Sequence, residues 1–260
     1  MAGRAESLAI VLRDFGDESA ALDGLLATLD DDGWLTPTPA EGWDVRDSVA
    51  HLAIGDELAL ECVAFDRNPK VMDDGLAAVV AGADAAAAFE KGLVDRGRTV
   101  SPSEVHAWWR RANAELREAL AKIDPDRRLP WGGNRMSTVS FVAARLMETW
   151  AHGVDCFDAA GVEPIDTDRL RHVAQLALRA LPYAFLVAQV PGPGPVRLEL
   201  KSRSGEAWSI GPDDAPTVIR GTASDWCRVA THRDRRGERN HLEGEGPDAA
   251  DVLSHVQAYL

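Results

Sequence analysis

Four ionisable side chains fall on one line of an otherwise apolar helical segment: Arg145, Glu148, His152 and Asp155, spaced three, four and three residues apart. At about 3.6 residues per turn they share a face. Their neighbours Leu146, Met147, Trp150, Ala151 and Val154 are apolar, so the polar line borders packed surface. Glu148 and His152, one turn apart, are either a solvated pair on an exposed helix or two ligands of one ion. A second apolar stretch, Val49-Ala50-His51-Leu52-Ala53, carries a histidine that is either a hydrogen-bonded core residue or a third ligand. If the two helices pack side by side, His51, Glu148 and His152 make a two-histidine, one-carboxylate set. Three protein ligands with the last position left to water is the arrangement of a catalytic zinc site, and the same ligand types suit iron or nickel. Arg145 would then position an anionic group, and Asp155 would orient His152 or act as a base. Cys156, four residues beyond His152, is either a fourth ligand or a small core residue, and its apolar surroundings favour the core. His106 lies near a helix start and reads as exposed instead of facing the site.

Helical periodicity supplies the elements that must hold these groups. Leu8, Val11, Leu12, Phe15, Leu22, Leu25 and Leu26 predict a first helix over about residues 6–29, stopped by Asp30-Asp-Asp-Gly33. Pro37 and Pro39 keep the next stretch extended. Asp44, with Asp47 three residues on, is a capping-box pattern that predicts a helix through His51 to about Phe65. Ser101 or Ser103 caps a third helix, and Ser137 a fourth over about 139–160 that Gly161 ends. Between the second and third, only Ala83 to Leu93 reads as weakly helical. Residues 94–100 read as a loop, part of a connection of the kind that lies over a functional mouth. Residues 129–137 read as a glycine-containing loop. Beyond Gly161 the pattern changes: a helix from Asp166 or Thr167, kinked at Pro182, then a Pro-Gly linker over 191–195. A hairpin follows (196–200 with 207–210), then a strand at 216–221, a helix capped by Thr222 and a last helix over 248–259. The expected fold class is therefore α+β: a four-helix bundle over residues 1–162, with the site in its core or at one end, followed by a small α+β domain over 163–260.

Composition narrows the partners. With 42 acidic against 28 basic residues the net charge is −14, which repels phosphate backbones and anionic lipid. A small-molecule substrate is expected, and neither nucleic acid nor membrane. No apolar run approaches the roughly 20 residues of a membrane span, and the start lacks a basic leader joined to an apolar core. Cys62, Cys156 and Cys227 are scattered and odd in number, which fits a reducing compartment, so the chain is read as cytoplasmic. The basic cluster Arg233, Arg235, Arg236 and Arg239 is either a solvated loop or an anion grip. Eight tryptophans against two tyrosines leave open a non-catalytic protein with an aromatic pocket for a small hydrophobic ligand. The chain has no Gly-x-Ser-x-Gly, no His-Glu-x-x-His and no dinucleotide fingerprint.

At Gly42-Trp-Asp-Val-Arg-Asp-Ser-Val-Ala-His51 and Arg145-Leu-Met-Glu-Thr-Trp-Ala-His-Gly-Val-Asp155 the chain resembles the mycothiol-dependent maleylpyruvate isomerase family, within the DinB-like metal-binding bundles. The resemblance covers nearly the whole chain and implies a C-terminal domain like that of sterol-carrier proteins. It implies a divalent metal, usually zinc, on His51, Glu148 and His152, with Arg145 and Asp155 as supporting or substrate-facing groups. It further implies a thiol-dependent isomerase or S-transferase in which the metal holds a low-molecular-weight thiol, mycothiol, as the nucleophile. A thiol-independent isomerase, lyase or cyclase is the alternative chemistry.

Overall fold

The computed structural model describes residues 3–131, 134–234 and 241–258. Its first helix, α1 (Arg4–Leu26), buries Leu8, Val11, Phe15, Leu22 and Leu26 along one face. One short turn, α2 (Asp31–Trp34), is capped by the Asp30 carboxylate and tucks Trp34 into the core. The long helix α3 (Val45–Phe65) starts at a complete capping box: Asp44 accepts from the Asp47 amide while Asp47 accepts from the Asp44 amide. It ends where Asp66 turns left-handed. Two more helices follow, α4 (Lys70–Ala81) and α5 (Ala83–Arg98). Then comes α6 (Pro102–Ala121), capped by Ser101 and Glu104 with proline at the first helical position. A hairpin, β1 (Arg128–Trp131) with β2 (Asn134–Ser137), leads into α7 (Thr138–Ala159), which Ser137 caps. After α7, Gly161 takes a left-handed conformation, with φ of 68°.

The four long helices form the bundle. Helix α1 lies against α6 and α7, and α3 lies against the same two. Leu22, Leu26, Trp34, Val45, Val49, Leu52, Val105, Trp109 and Cys156 belong to one apolar cluster. Each large side chain fully buried there contributes about 1.5–3 kcal/mol relative to exposure.

Two expectations for this part are corrected. Residues Val94–Arg98 are the last turns of α5, not a loop. Gly97 is the reason the helix can continue there against α3, since a Cβ at that position would lie 2.5 Å from the Cβ of Ala50. Residues 129–131 and 134–137 are strands instead: Leu129 pairs with Met136 and Trp131 with Asn134, and residues 132 and 133 lie outside the described residues.

The chain divides into two units, Met1–Pro164 and Ile165–Leu260. The second begins with α8 (Leu170–Val187), which starts a few residues later than Asp166 or Thr167 and runs through Pro182. A mixed sheet follows: β3 (Val196–Lys201), β4 (Ala207–Ile210), β5 (Thr217–Thr222) and β6 (Glu243–Glu245), in the order β4-β3-β5-β6. Strand β3 pairs antiparallel with β4 and parallel with β5. Val196, Leu198 and Leu200 alternate inward, the period of a strand buried on one face. Helices α9 (Ala223–Ala230) and α10 (Ala249–His255) pack with α8 and the sheet. The class is thus α+β, a four-helix bundle followed by an α+β unit. Among the described residues no helix is long and apolar enough to cross a membrane.

Candidate metal centre

Helices α3 and α7 bring His51, Glu148 and His152 together. One ligand atom from each lies within 4.8 Å of the others. Both Nε2 atoms, of His51 and of His152, stand 3.6 Å from the same Glu148 oxygen, Oε2. That distance is long for a hydrogen bond. It is close to the roughly 3.3 Å that separates two ligand atoms on a tetrahedral zinc with bonds of about 2.0–2.1 Å. The chemistry of the donor set, two imidazoles and a carboxylate within 4.8 Å, therefore fits a divalent ion.

The surroundings orient these side chains. Asp155, buried on the same helix, places Oδ2 3.3 Å from His152 Nδ1. A carboxylate there holds the proton on Nδ1 and leaves the Nε2 lone pair facing Glu148. Trp43 stacks on the His152 ring at 5.6 Å and meets the His51 ring at 5.2 Å, covering one side of the pair. Burial alone would raise the Glu148 carboxyl. Contact with His51 and the nearby charges of His152 and Arg145 overcome this and hold it at about 2. The carboxylate is thus ionised throughout the neutral range.

Three further ties fix the helices. At the start of α3, Arg98 from α5 donates to both oxygens of the fully buried Asp47, at 2.9 and 2.6 Å, and to the Gly42 carbonyl at 3.0 Å. This clamps the segment that carries Trp43. Deeper in the bundle, Arg145 Nε donates to Asp56 Oδ1 at 3.0 Å, and its Nη2 lies 3.4 Å from the Leu52 carbonyl. Asn113 of α6 donates to the other Asp56 oxygen, also at 3.0 Å. Burial pushes the Asp56 carboxyl up, and its two partners pull it back only in part.

Arg145 is thus placed on the line with Glu148, as its spacing requires, but its side chain is only 3% exposed and its guanidinium is paired with Asp56. Cys156 is buried in the apolar cluster, where burial and the neighbouring Asp155 push its thiol well up, away from the thiolate a metal needs. His106 is not exposed: it meets Asp23 of α1 at 2.6 Å, between Trp34 and Trp109. Asp23 also accepts from Arg110. Of the basic cluster, Arg233 donates to the Thr231 carbonyl, and Arg235, Arg236 and Arg239 lie outside the described residues.

Asp56, Asn113 and Arg98 were not among the residues singled out from sequence. A signal for the first two was present. Leu52, Asp56, Ala59 and Val63 form an inward stripe of α3, and Trp109, Asn113, Leu116 and Leu120 form one on α6. A polar residue inside such a stripe needs a buried partner.

A four-helix bundle with two histidines and a carboxylate converging between two of its helices, followed in the chain by an α+β unit, defines a class of bundle proteins built around a candidate cation site. Residues 15–157 match the family model described as the mycothiol maleylpyruvate isomerase N-terminal domain, and the chain belongs to that family. Two uncharacterized proteins, from two strains of Mycobacterium tuberculosis, are each 39% identical over 251 residues, 95% of this chain and 93% of theirs. Crystal structures of the mycothiol-dependent maleylpyruvate isomerase, and of a histidine-to-alanine mutant of it, share the fold. Each has a TM-score of 0.57 at 17% identity, covering 92% of this chain and 96% of theirs.

Proposed function

We propose that this protein is a divalent-metal enzyme, with zinc as the resident ion, that acts on a small carboxylate-bearing substrate as a mycothiol-dependent isomerase or thiol S-transferase. The observation that carries the reading is the convergence of His51, Glu148 and His152 within 4.8 Å. Family membership and the fold shared with the maleylpyruvate isomerase support the thiol and the substrate class. Zinc bound there would supply a Lewis acid that keeps a thiol sulfur as thiolate at neutral pH.

The protein's own groups do the rest. His51, Glu148 and His152 would hold the ion with three protein groups and would leave it open to a thiol. Asp155 keeps the proton of His152 on Nδ1, so that Nε2 stays a ligand. Trp43 covers the ring faces and excludes water from that side. Arg145, enclosed with Asp56, holds a ligand-bearing helix in place and does not grip substrate. The three cysteines are free and buried, consistent with the reducing cytoplasm in which such a thiol cosubstrate is kept.

The test is metal analysis of untagged protein followed by turnover of an electrophilic carboxylate such as maleylpyruvate, with and without mycothiol. About one equivalent of divalent metal and turnover only with the thiol are expected. Protein that binds no metal would refute the reading. Metal-dependent turnover indifferent to thiol would replace it with the isomerase, lyase or cyclase alternative.

A further inference from the structure

The three proposed ligands come from two helices, so their spacing depends on the register of α3 against α7. Apolar packing resists separation of two helices better than it resists a slide. A hydrogen-bonded tie fixes both. The bundle has such a tie beside the ligands: Arg145 lies one turn before Glu148 on α7, and its guanidinium engages α3 at Asp56 and at the Leu52 carbonyl, the residue next to His51. Asn113 holds the second Asp56 oxygen from α6, so three helices meet at one carboxylate. Space for the guanidinium exists because residue 55 is glycine. A Cβ there would lie 2.7 and 2.8 Å from the two terminal nitrogens of Arg145.

Fold stability alone does not call for this arrangement, since apolar residues of similar volume often serve as well as a buried ion pair or better. What the pair adds is direction. We propose that Arg145, held by Asp56 and Asn113 and accommodated by Gly55, is a positioning residue that sets the register at which His51 meets Glu148 and His152. The proposal rests on the reading of those three as metal ligands.

The experiment replaces the whole network with apolar residues, Asp56→Leu with Asn113→Leu and Arg145→Met. It compares this variant with the wild type in three ways: urea unfolding, zinc affinity against a competing chelator, and the visible spectrum of the cobalt-substituted protein. The expected result is a folded variant of near wild-type stability whose zinc affinity is weaker by about tenfold or more, in the range seen when groups supporting metal ligands are changed, with an altered cobalt spectrum. Wild-type affinity and an unchanged spectrum in the folded variant would overturn the proposal. If the triple variant does not fold, Gly55→Ala decides. It displaces the guanidinium without removing a charge, so weakened zinc binding supports the role and unchanged binding overturns it. A wild-type protein that binds neither zinc nor cobalt defeats the metal reading itself, a different outcome from intact binding that ignores the network.

Discussion

On α3 and α7 two polar clusters lie within a few turns of each other, one closed and one open. In the closed one, Asp56, Arg145 and Asn113 satisfy one another at 3.0 Å behind apolar side chains. In the open one, Glu148 faces two imidazole nitrogens at 3.6 Å, and the side chains keep 10–27% of their surface. The closed cluster has a donor for each carboxylate oxygen and needs nothing more. The open cluster gathers two imidazole nitrogens and a carboxylate at distances longer than ordinary hydrogen bonds, which leaves room for a cation or water among them. Exposure and distance together thus separate a network that builds the bundle from one that serves it, although both draw on α3 and α7, with Asn113 of α6 added to the closed one.

Breaking the closed cluster should have the largest effect on the fold. Arg145→Ala leaves Asp56 buried without its counter-charge, which costs about 3–5 kcal/mol, measured as a lowered urea midpoint. The contrast is with the open cluster: Glu148→Gln should lower the midpoint of the metal-free protein far less at neutral pH, by on the order of 1–2 kcal/mol. There the loss is of zinc binding, by more than the roughly 100-fold that changes outside the ligand set produce, read by chelator competition. If Glu148→Gln unfolds the protein while Arg145→Ala does not, the assignment of roles is reversed.

How much of this was legible in the sequence follows the range of the interactions. The cap of α3 is local: Asp44 and Asp47 are three residues apart and bond each other's amides. The line of Arg145, Glu148, His152 and Asp155 is likewise fixed by helical spacing, and the structure brings His51 to it. Spacing carries no information, however, on which way Arg145 turns. That was decided by Asp56, 89 residues away, and by the room at Gly55. The last turns of α5 look like a loop in the sequence because Gly97 and Arg98, taken in isolation, resemble a helix breaker and a solvent group. Their helical state depends on Ala50 and Asp47, contacts about fifty residues distant. The grouping of His51 with Glu148 and His152 was legible from residue types and spacing, whereas the partners of Arg145 and Arg98 were not.

Asp155 tests the boundary between the clusters, because it is as buried as Arg145 yet belongs to the open one. Asp155→Asn removes the charge that holds the His152 tautomer while keeping the shape. Zinc affinity should fall by about 10–100-fold, with a smaller stability change than in Arg145→Ala. A stability loss equal to that of Arg145→Ala with full zinc affinity would move Asp155 into the closed cluster.

The smallest expected effect is a pH dependence of the metal-free fold. Glu148 is held at about 2, against its usual 4.5. A folded-state value below the unfolded one contributes stability that is fully present above about pH 4.5 and is lost as pH falls toward 2. With water reaching part of the site, the contribution is on the order of 1–2 kcal/mol. Urea midpoints of the metal-free wild type and Glu148→Gln, followed from pH 6 to 2, should run parallel above about pH 5. Below that the wild type should lose stability more steeply. Parallel curves over the whole range would mean that the rings do not hold Glu148 in the absence of an ion, and the open cluster would then depend on its cation at every pH.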